Sequence, residues 1–188
     1  RNQNELAQES SEVADFWNML QGFQTSGKCI DKAHYHIRYL KAFRPLSAKE
    51  DIEFMEARPV LYLNMAAVAS LFNSRNMNAT ANRSNWSTIM SYLKSHSSYL
   101  GLKQDRFTIL QPGGLPDYMI EVINGEQVRK VKVNRPKALC FDYLQLKDAF
   151  GLDLETEIVS DSLDLSEDNL SDSTPSDTTP PIQEDLPF

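Results

Sequence analysis

The residues best placed to do chemistry are cations. Arg129, Lys130, Lys132, Arg135 and Lys137 put five positive charges within nine residues, and Arg75, Arg83 and Lys94 add three more upstream. From Arg75 to Asp148 the chain holds 11 basic residues against 6 acidic ones. Cations at this density bind phosphate and release its counterions, which makes the affinity salt-dependent. Near them, Asn85, Thr88, Ser91, Tyr92 and Ser95 line one face of a predicted helix. Short hydrogen-bonding side chains and a tyrosine are what a helix needs to read base edges in a groove, although many ordinary surface helices look the same. DNA, single- or double-stranded, is therefore the expected ligand of these residues.

Covalent chemistry has no comparable support. Thr25-Ser-Gly-Lys28 lacks the preceding glycine and the trailing hydroxyl of a phosphate loop, and it follows a helical pattern instead of a strand. No HExxH appears, nor any Ser-His-Asp or Cys-His arrangement with a local signature. The expectation is a non-catalytic module with no cofactor and no metal. His34 and His36 share one face of a predicted strand, but no carboxylate or thiol stands at a matching spacing, so they read as a solvated polar face. Cys29 and Cys140 are isolated, as expected for reduced thiols in a cytoplasmic protein.

The elements that must position the cations centre on Pro59 to Leu110, which reads strand, helix, polar loop, helix, strand. Val60 to Leu63 favours a strand, and Asn64 is suited to cap a helix from Met65 to about Arg75. That helix is apolar nearly all round, which predicts burial between other elements. Ser84 is the expected cap of the second helix, where Trp86, Ile89, Met90 and Leu93 form a core stripe. Upstream, Glu5 to about Phe23 predicts a helix with Val13, Phe16, Trp17 and Leu20 inward, and Ala33 to Tyr39 alternates as a strand. Ser47 to Ala57 has a helical composition with carboxylates in its first half, and Pro59 marks its end.

After Leu110 the paired glycines and prolines of QPGGLPD predict a loop. Asn124-Gly125 then predicts a type I′ turn between strands over Tyr118–Ile123 and Gln127–Arg135, because both central residues must take positive φ. Val131 and Val133 should alternate inward on the second strand, with a bulge near Arg129 where Val128 breaks the pattern. Ala138 to Asp142 predicts a core strand, and Tyr143 to Phe150 a closing helical turn.

Charge is segregated along the chain. All 19 Lys and Arg lie at or before Lys147, whereas 11 of the 26 acidic residues lie from Asp153 onward. The net charge of -7 thus divides into a body of +4 and a tail of -11. The tail is rich in Ser, Thr, Asp and Pro, which predicts disorder from Asp153. No stretch approaches the length of a membrane span. The opening RNQNELAQES has no initiator Met and reads as a piece of a longer protein.

Two resemblances add to this reading. ADFWNMLQGF, ARPVLYLNMAAVASLF and MSYLKSHSSYLGLKQDRF resemble the C-terminal region of primase–helicase-type replication proteins of bacterial mobile elements. Glu184, Asp185, Leu186, Pro187 and Phe188 resemble the C-terminal peptide of bacterial single-stranded DNA-binding proteins. The first implies a replication role with any motor or primase lying upstream. The second implies recruitment of host replication or repair proteins, with Phe188 and its carboxylate entering a pocket rimmed by basic residues.

The sequence as a whole predicts an α+β fold with winged-helix-like helices, a basic β-hairpin and a disordered acidic C-terminal tail. Its parts are 1–58, helix and strand elements packed on the core; 59–152, the winged-helix-like domain; and 153–188, the tail with its interaction tip. The alternative function is a protein-interaction domain inside a replication complex. Cations gathered on one face favour DNA, and scattered cations favour the alternative.

Overall fold

The computed structural model describes residues 2–76 and 84–157. Along the chain come α1 (Gln3–Thr25), β1 (Tyr35–Phe43), β2 (Ile52–Asn64), α2 (Met65–Asn76), α3 (Trp86–Ser95), β3 (Tyr99–Gln104) and β4 (Phe107–Thr108). They are followed by β5 (Tyr118–Ile123), β6 (Glu126–Val131), β7 (Val133–Asn134), β8 (Lys137–Asp142) and α4 (Tyr143–Phe150). The architecture is mixed α+β, built on an antiparallel sheet of order β1-β2-β8-β3.

The apolar runs Val60-Leu-Tyr-Leu63 and Ala138-Leu-Cys-Phe141 are continuous because their strands are covered on both faces. Leu61, Leu63, Leu139 and Phe141 meet Val13, Phe16, Trp17 and Leu20 of α1 and Ile89 and Leu93 of α3 in the main core. Trp17 stands edge-on to Phe141, with ring centroids 5.1 Å apart. Their strand neighbours Val60, Tyr62, Ala138 and Cys140 point the other way into a smaller cluster with Phe43 and Phe107. The predicted stripes of α1 and α3 are therefore core.

Asn64 caps α2 as expected, accepting from the Ala67 N–H at 3.4 Å. The helix itself lies at the surface: Val68 and Phe72 are buried, while Ala66, Ser70, Asn73 and Ser74 are exposed. Alanine is small enough to face either environment, so a largely apolar helix here needs only a narrow buried stripe. The cap of α3 is Asn85 rather than Ser84, with Asn85 Oδ1 accepting from the Thr88 N–H at 2.9 Å.

The larger correction concerns Ser47 to Ala57, which forms no helix among its residues. Ile52–Ala57 belong to β2, because Glu53 and Ile52 pair with Ala42 and Phe43 of β1. Cross-strand pairing overrides a helical composition whose carboxylates are all exposed. The register then jumps, Leu40 opposing Arg58, so that residues 54–57 bulge and Met55 is fully exposed. Pro59 sits within the strand one residue before pairing with β8 begins at Val60, where one edge is open to a residue without an N–H. The boundary expected after residue 58 thus falls inside β2, and the body forms one compact unit through Glu157.

His34 and His36 are not a solvated face. His34 is buried and its Nδ1 accepts the Ile30 N–H at 3.0 Å. His36 stacks between Tyr62 and Phe107, with centroids at 4.8 and 4.7 Å, and its Nε2 lies 3.1 Å from Asp105 Oδ2. The side of β1 opposite the helices faces the second core instead of water, because Phe107 and β4 fold across it.

Disorder predicted from Asp153 is overturned for the first five residues. Leu152 and Leu154 are buried, and the backbone N–H groups of Asp153, Leu154 and Glu157 donate to Gln21 Oε1, the Tyr143 hydroxyl and Asp31 Oδ2 at 2.8 to 2.9 Å. The Tyr35 hydroxyl donates to the Glu155 carbonyl. Side chains of the body thus satisfy the backbone of this strap, which composition alone does not reveal. The rest of the expected tail, 158–188, lies outside the described residues.

Candidate nucleic-acid interface

Helix α3 presents its candidate face in two parts. Asn85 and Thr88 hold each other at the N-terminus, the Thr88 hydroxyl also donating to Asn85 Oδ1 at 3.0 Å. Their role there is to end the helix cleanly, so they offer less to a ligand than a free pair would. Tyr92 is turned aside. It is half-buried and helps line a groove of about 420 Å³ with Leu6, Val13, His96 and Phe150. The exposed face consists of Ser87, Ser91, Lys94 and Ser95. The Ser95 hydroxyl donates back to the Ser91 carbonyl at 3.0 Å, leaving Ser87, Ser91 and Lys94 as an outward row at i, i+4 and i+7.

Charge along this stretch of sequence is one-sided, although Glu9 of α1 lines the same groove as Tyr92 and Ser95. Met65 to Gln104, which spans α2, α3 and β3, contains no Asp or Glu, yet it carries Arg75, Arg83, Lys94 and Lys103. That run is the signal that a count over a longer window concealed. Lys103 is engaged over the Phe43 ring, 5.2 Å from its centroid. Arg75 and Lys94 occupy the last turns of α2 and α3, where cations also suit the negative end of the helix dipole. Arg83 lies outside the described residues.

The hairpin differs from its expected layout. Asn124 and Gly125 take φ of 52° and 82°, as the type I′ turn requires. Pairing from Tyr118↔Val131 to Ile123↔Glu126 runs without a shift, so there is no bulge at Arg129. The strand breaks at Lys132 instead, and β7 departs to pair with β4. At this root the Lys132 N–H donates to the Asp117 carbonyl and the Ile109 N–H to the Lys132 carbonyl, at 2.8 and 2.9 Å.

Register separates the basic residues. Directly paired residues share a face, so Tyr118, Ile120, Val122, Gln127, Arg129 and Val131 point one way, whereas Met119, Glu121, Ile123, Glu126, Val128 and Lys130 point the other. Lys130 Nζ lies 2.6 Å from Glu121 Oε2, and Lys132 Nζ lies 2.9 Å from Asp117 Oδ2. The Lys132 ammonium holds the Asp117 carboxyl below its usual range. Arg129 lies over the Tyr118 ring with its Cζ 3.7 Å from the centroid. Arg135 and Lys137, beyond the hairpin, are exposed and form no ion pair among the described residues. The valines expected to turn inward, Val131 and Val133, are exposed as well.

Sequence reasoning missed the apolar character of this hairpin. Tyr118, Met119, Ile120, Val122, Ile123, Val128 and Val131 are all exposed, Ile120 and Val122 by 68% and 69%. A strand as apolar as β5, interrupted only by Glu121, normally packs against another layer, and here nothing among the described residues covers it.

Beneath β4, Arg38 makes a two-point contact with Asp105 through Nε at 2.7 Å and Nη2 at 3.1 Å. Burial by itself would raise the Asp105 carboxyl, but the contacts from His36 and Arg38 outweigh it and hold the group well below the usual carboxylate range. This cluster joins β1 to the turn before β4 and is structural. Among the described residues no group of His, Cys, Asp and Glu is arranged to hold a metal ion, and no helix is long and apolar enough to cross a membrane. Burial pushes the Cys29 thiol up to about 12 and raises that of Cys140, so neither is poised as a nucleophile. The partner-binding candidates Glu184, Asp185, Leu186, Pro187 and Phe188 lie outside the described residues. No family model, curated protein or solved structure matches this chain.

Proposed function

We propose that the body is a winged-helix-like DNA-binding module of a mobile-element replication protein, with α3 entering a groove and the β5–β6 hairpin lying beside it as the wing. With β1, β4 and β7 as additional strands, the order α1, β2, α2, α3, β3, hairpin, β8 supports this reading, as does the adjacency β2-β8-β3 within the four-stranded sheet. The observation that carries it is the exposed row Ser87, Ser91 and Lys94 on α3, set within a carboxylate-free stretch that also holds Arg75. A helix approaching a phosphate-lined groove gains from cations and loses from every carboxylate. The nine residues between α2 and α3 exceed the three or four of a tight helix-turn-helix, so the pair belongs to a looser variant.

The cations that remain for phosphate are Arg75, Lys94, Arg135 and Lys137, none of them ion-paired among the described residues. The test is a titration of labelled duplex and single-stranded DNA over a salt series. Four phosphate contacts give a slope of about −3 to −4 in log K against log salt. Salt-independent binding, or none, removes the proposal.

A second reading is favoured by two observations, the apolar hairpin and the division of its cations between opposite faces. It makes the body an assembly domain that docks on another replication protein. Gel filtration and cross-linking with Ile120→Lys separate the two readings, since a docking hairpin loses its partner while groove binding by α3 persists. In either case the tip Glu184–Phe188 is assigned to recruitment of host replication or repair proteins. Deleting Phe188 then abolishes capture of proteins that recognise single-stranded DNA-binding protein tails, and failure of the intact chain to capture any of them removes that assignment.

A further inference from the structure

The two faces of the β5–β6 hairpin are chemically unequal, and the inequality is invisible in the basic count. One face carries both of the hairpin's carboxylates, Glu121 and Glu126, together with Lys130, whose ammonium is 2.6 Å from Glu121. The other carries Tyr118, Ile120, Val122, Gln127, Arg129 and Val131, with no carboxylate and a single charge. On that second face Gln111 joins Tyr118, Ile120, Gln127 and Arg129 to line an open cavity of about 390 Å³. Arg129 is laid over the Tyr118 ring, its Cζ 3.7 Å from the centroid, so a planar cation is already stacked at the wall of the cavity.

Each component answers to a different part of one ligand. A guanidinium backed by an aromatic ring is a rigid platform for a flat π-system. Ile120, 68% exposed, supplies apolar area beside it. The Gln127 amide has no hydrogen-bond partner among the described residues and offers both a donor and an acceptor to a ring edge. Gln111 donates from Nε2 to the Pro116 carbonyl at 3.3 Å and to Asp117 Oδ1 at 3.5 Å, which fixes its orientation and leaves Oε1 as an acceptor. The carboxylate that Gln111 touches, Asp117, is neutralised by Lys132 at 2.9 Å. Stacked inside a duplex, a base cannot reach such a wall; unpaired, it can.

We propose that this face of the hairpin binds unpaired bases of single-stranded DNA, stacking them against the Arg129–Tyr118 platform. The inference rests on the DNA-binding reading above and adds the form of DNA and the mode of contact. It separates two jobs: α3 engages duplex, and the hairpin holds a strand displaced from it.

The test is an anisotropy titration of the full chain with a labelled single strand and with its duplex, at one fixed salt concentration. The variants are Tyr118→Ala, Arg129→Lys and Lys130→Gln, each checked by circular dichroism and a urea midpoint. Arg129→Lys keeps the charge and removes the plane. It is expected to weaken single-strand binding by about tenfold and to leave duplex binding within about twofold, in line with the worth of base stacking on a side-chain platform. Tyr118→Ala should do the same, and Lys130→Gln, on the opposite face, should change neither.

Unchanged single-strand affinity in Arg129→Lys, or an equal loss for both forms of DNA, overturns the stacking claim while leaving the groove-binding role of α3 intact. Absence of binding by the unsubstituted chain to either form instead removes the DNA-binding reading itself. Unaltered strand binding in Tyr118→Ala together with loss of a cross-linked protein partner would assign the face to protein contact and also overturn the claim.

Discussion

Two antiparallel ladders in this chain obey opposite rules. Where β2 and β8 pair, over Val60–Asn64 and Ala138–Asp142, every side chain is buried, those of Leu61, Leu63, Leu139 and Phe141 completely, between α1, α3 and the second cluster. In β5 and β6 every residue except Glu121 is exposed, and among the described residues the ladder is supported by its own pairing and by the root at Lys132. A two-stranded hairpin of this kind is marginal by itself, so its root must be held by the body. The lesson is that the sheet's residues answer to folding, whereas the hairpin's apolar residues contribute little to it and are available for another purpose.

Substitutions should separate the two ladders, most strongly in the sheet. Phe141→Ala removes a ring that packs on Trp17 and Tyr99 and should cost about 3–5 kcal/mol in urea unfolding. Val122→Ala, at the same β periodicity in the hairpin, should cost within about 0.5 kcal/mol. A comparable loss at both positions would mean that the hairpin packs against something in the folded chain.

Next comes Gly101, whose φ of 138° is joined by a close neighbour: a Cβ there would stand 2.7 Å from Pro45 Cβ. Pro45 leads into Leu46, whose N–H donates to the Leu102 carbonyl and so closes the outer edge of β3. Gly101→Ala should lower stability by about 1–3 kcal/mol through strain and displacement of this segment. Gly125→Ala meets no atom within 4 Å, so only its φ of 82° opposes the change, at about 1 kcal/mol. Reversal of this order in unfolding midpoints would contradict the contact at Pro45.

Acid titration gives a smaller effect with a defined sign. The folded-state pKa of Asp105 is depressed, so its contribution is present above the unfolded value of about 4 and is lost as pH falls through and below that value. Urea midpoints of the wild type should therefore fall between about pH 5 and pH 2. Asp105→Asn should start lower and follow a flatter curve, whereas parallel curves would show that Asp105 is not the responsible group. Smallest of all is Lys130→Gln, which breaks an exposed ion pair with Glu121 and should change stability by less than about 0.5 kcal/mol.

Legibility in the sequence followed the same division. Strong local patterns translated directly: the Asn124-Gly125 turn, the stripes of α1 and α3 and the core run at Ala138. What failed depended on partners distant in the chain. Ser47–Ala57 had a helical composition but met β1, and His36 looked solvent-facing until Phe107 folded over it. Asp153–Glu157 read as disordered by composition, although Tyr35, Tyr143, Gln21 and Asp31 each reach it. For the candidate interface, the basic residues were visible but their register was not. Arg129 and Lys130 are neighbours in sequence and occupy opposite faces, a period-two fact that a charge count discards.

In the proposed complex the exposed row of α3 meets DNA while the core behind it merely holds it in place. Ser87→Glu with Ser91→Glu puts two carboxylates on that row and touches no buried residue. Duplex affinity measured by anisotropy at moderate salt, with the urea midpoint determined on the same sample, tests the claim most directly. Contact between this row and DNA requires at least a tenfold loss of affinity with a nearly unchanged midpoint. Undiminished duplex binding by this folded double variant would contradict it.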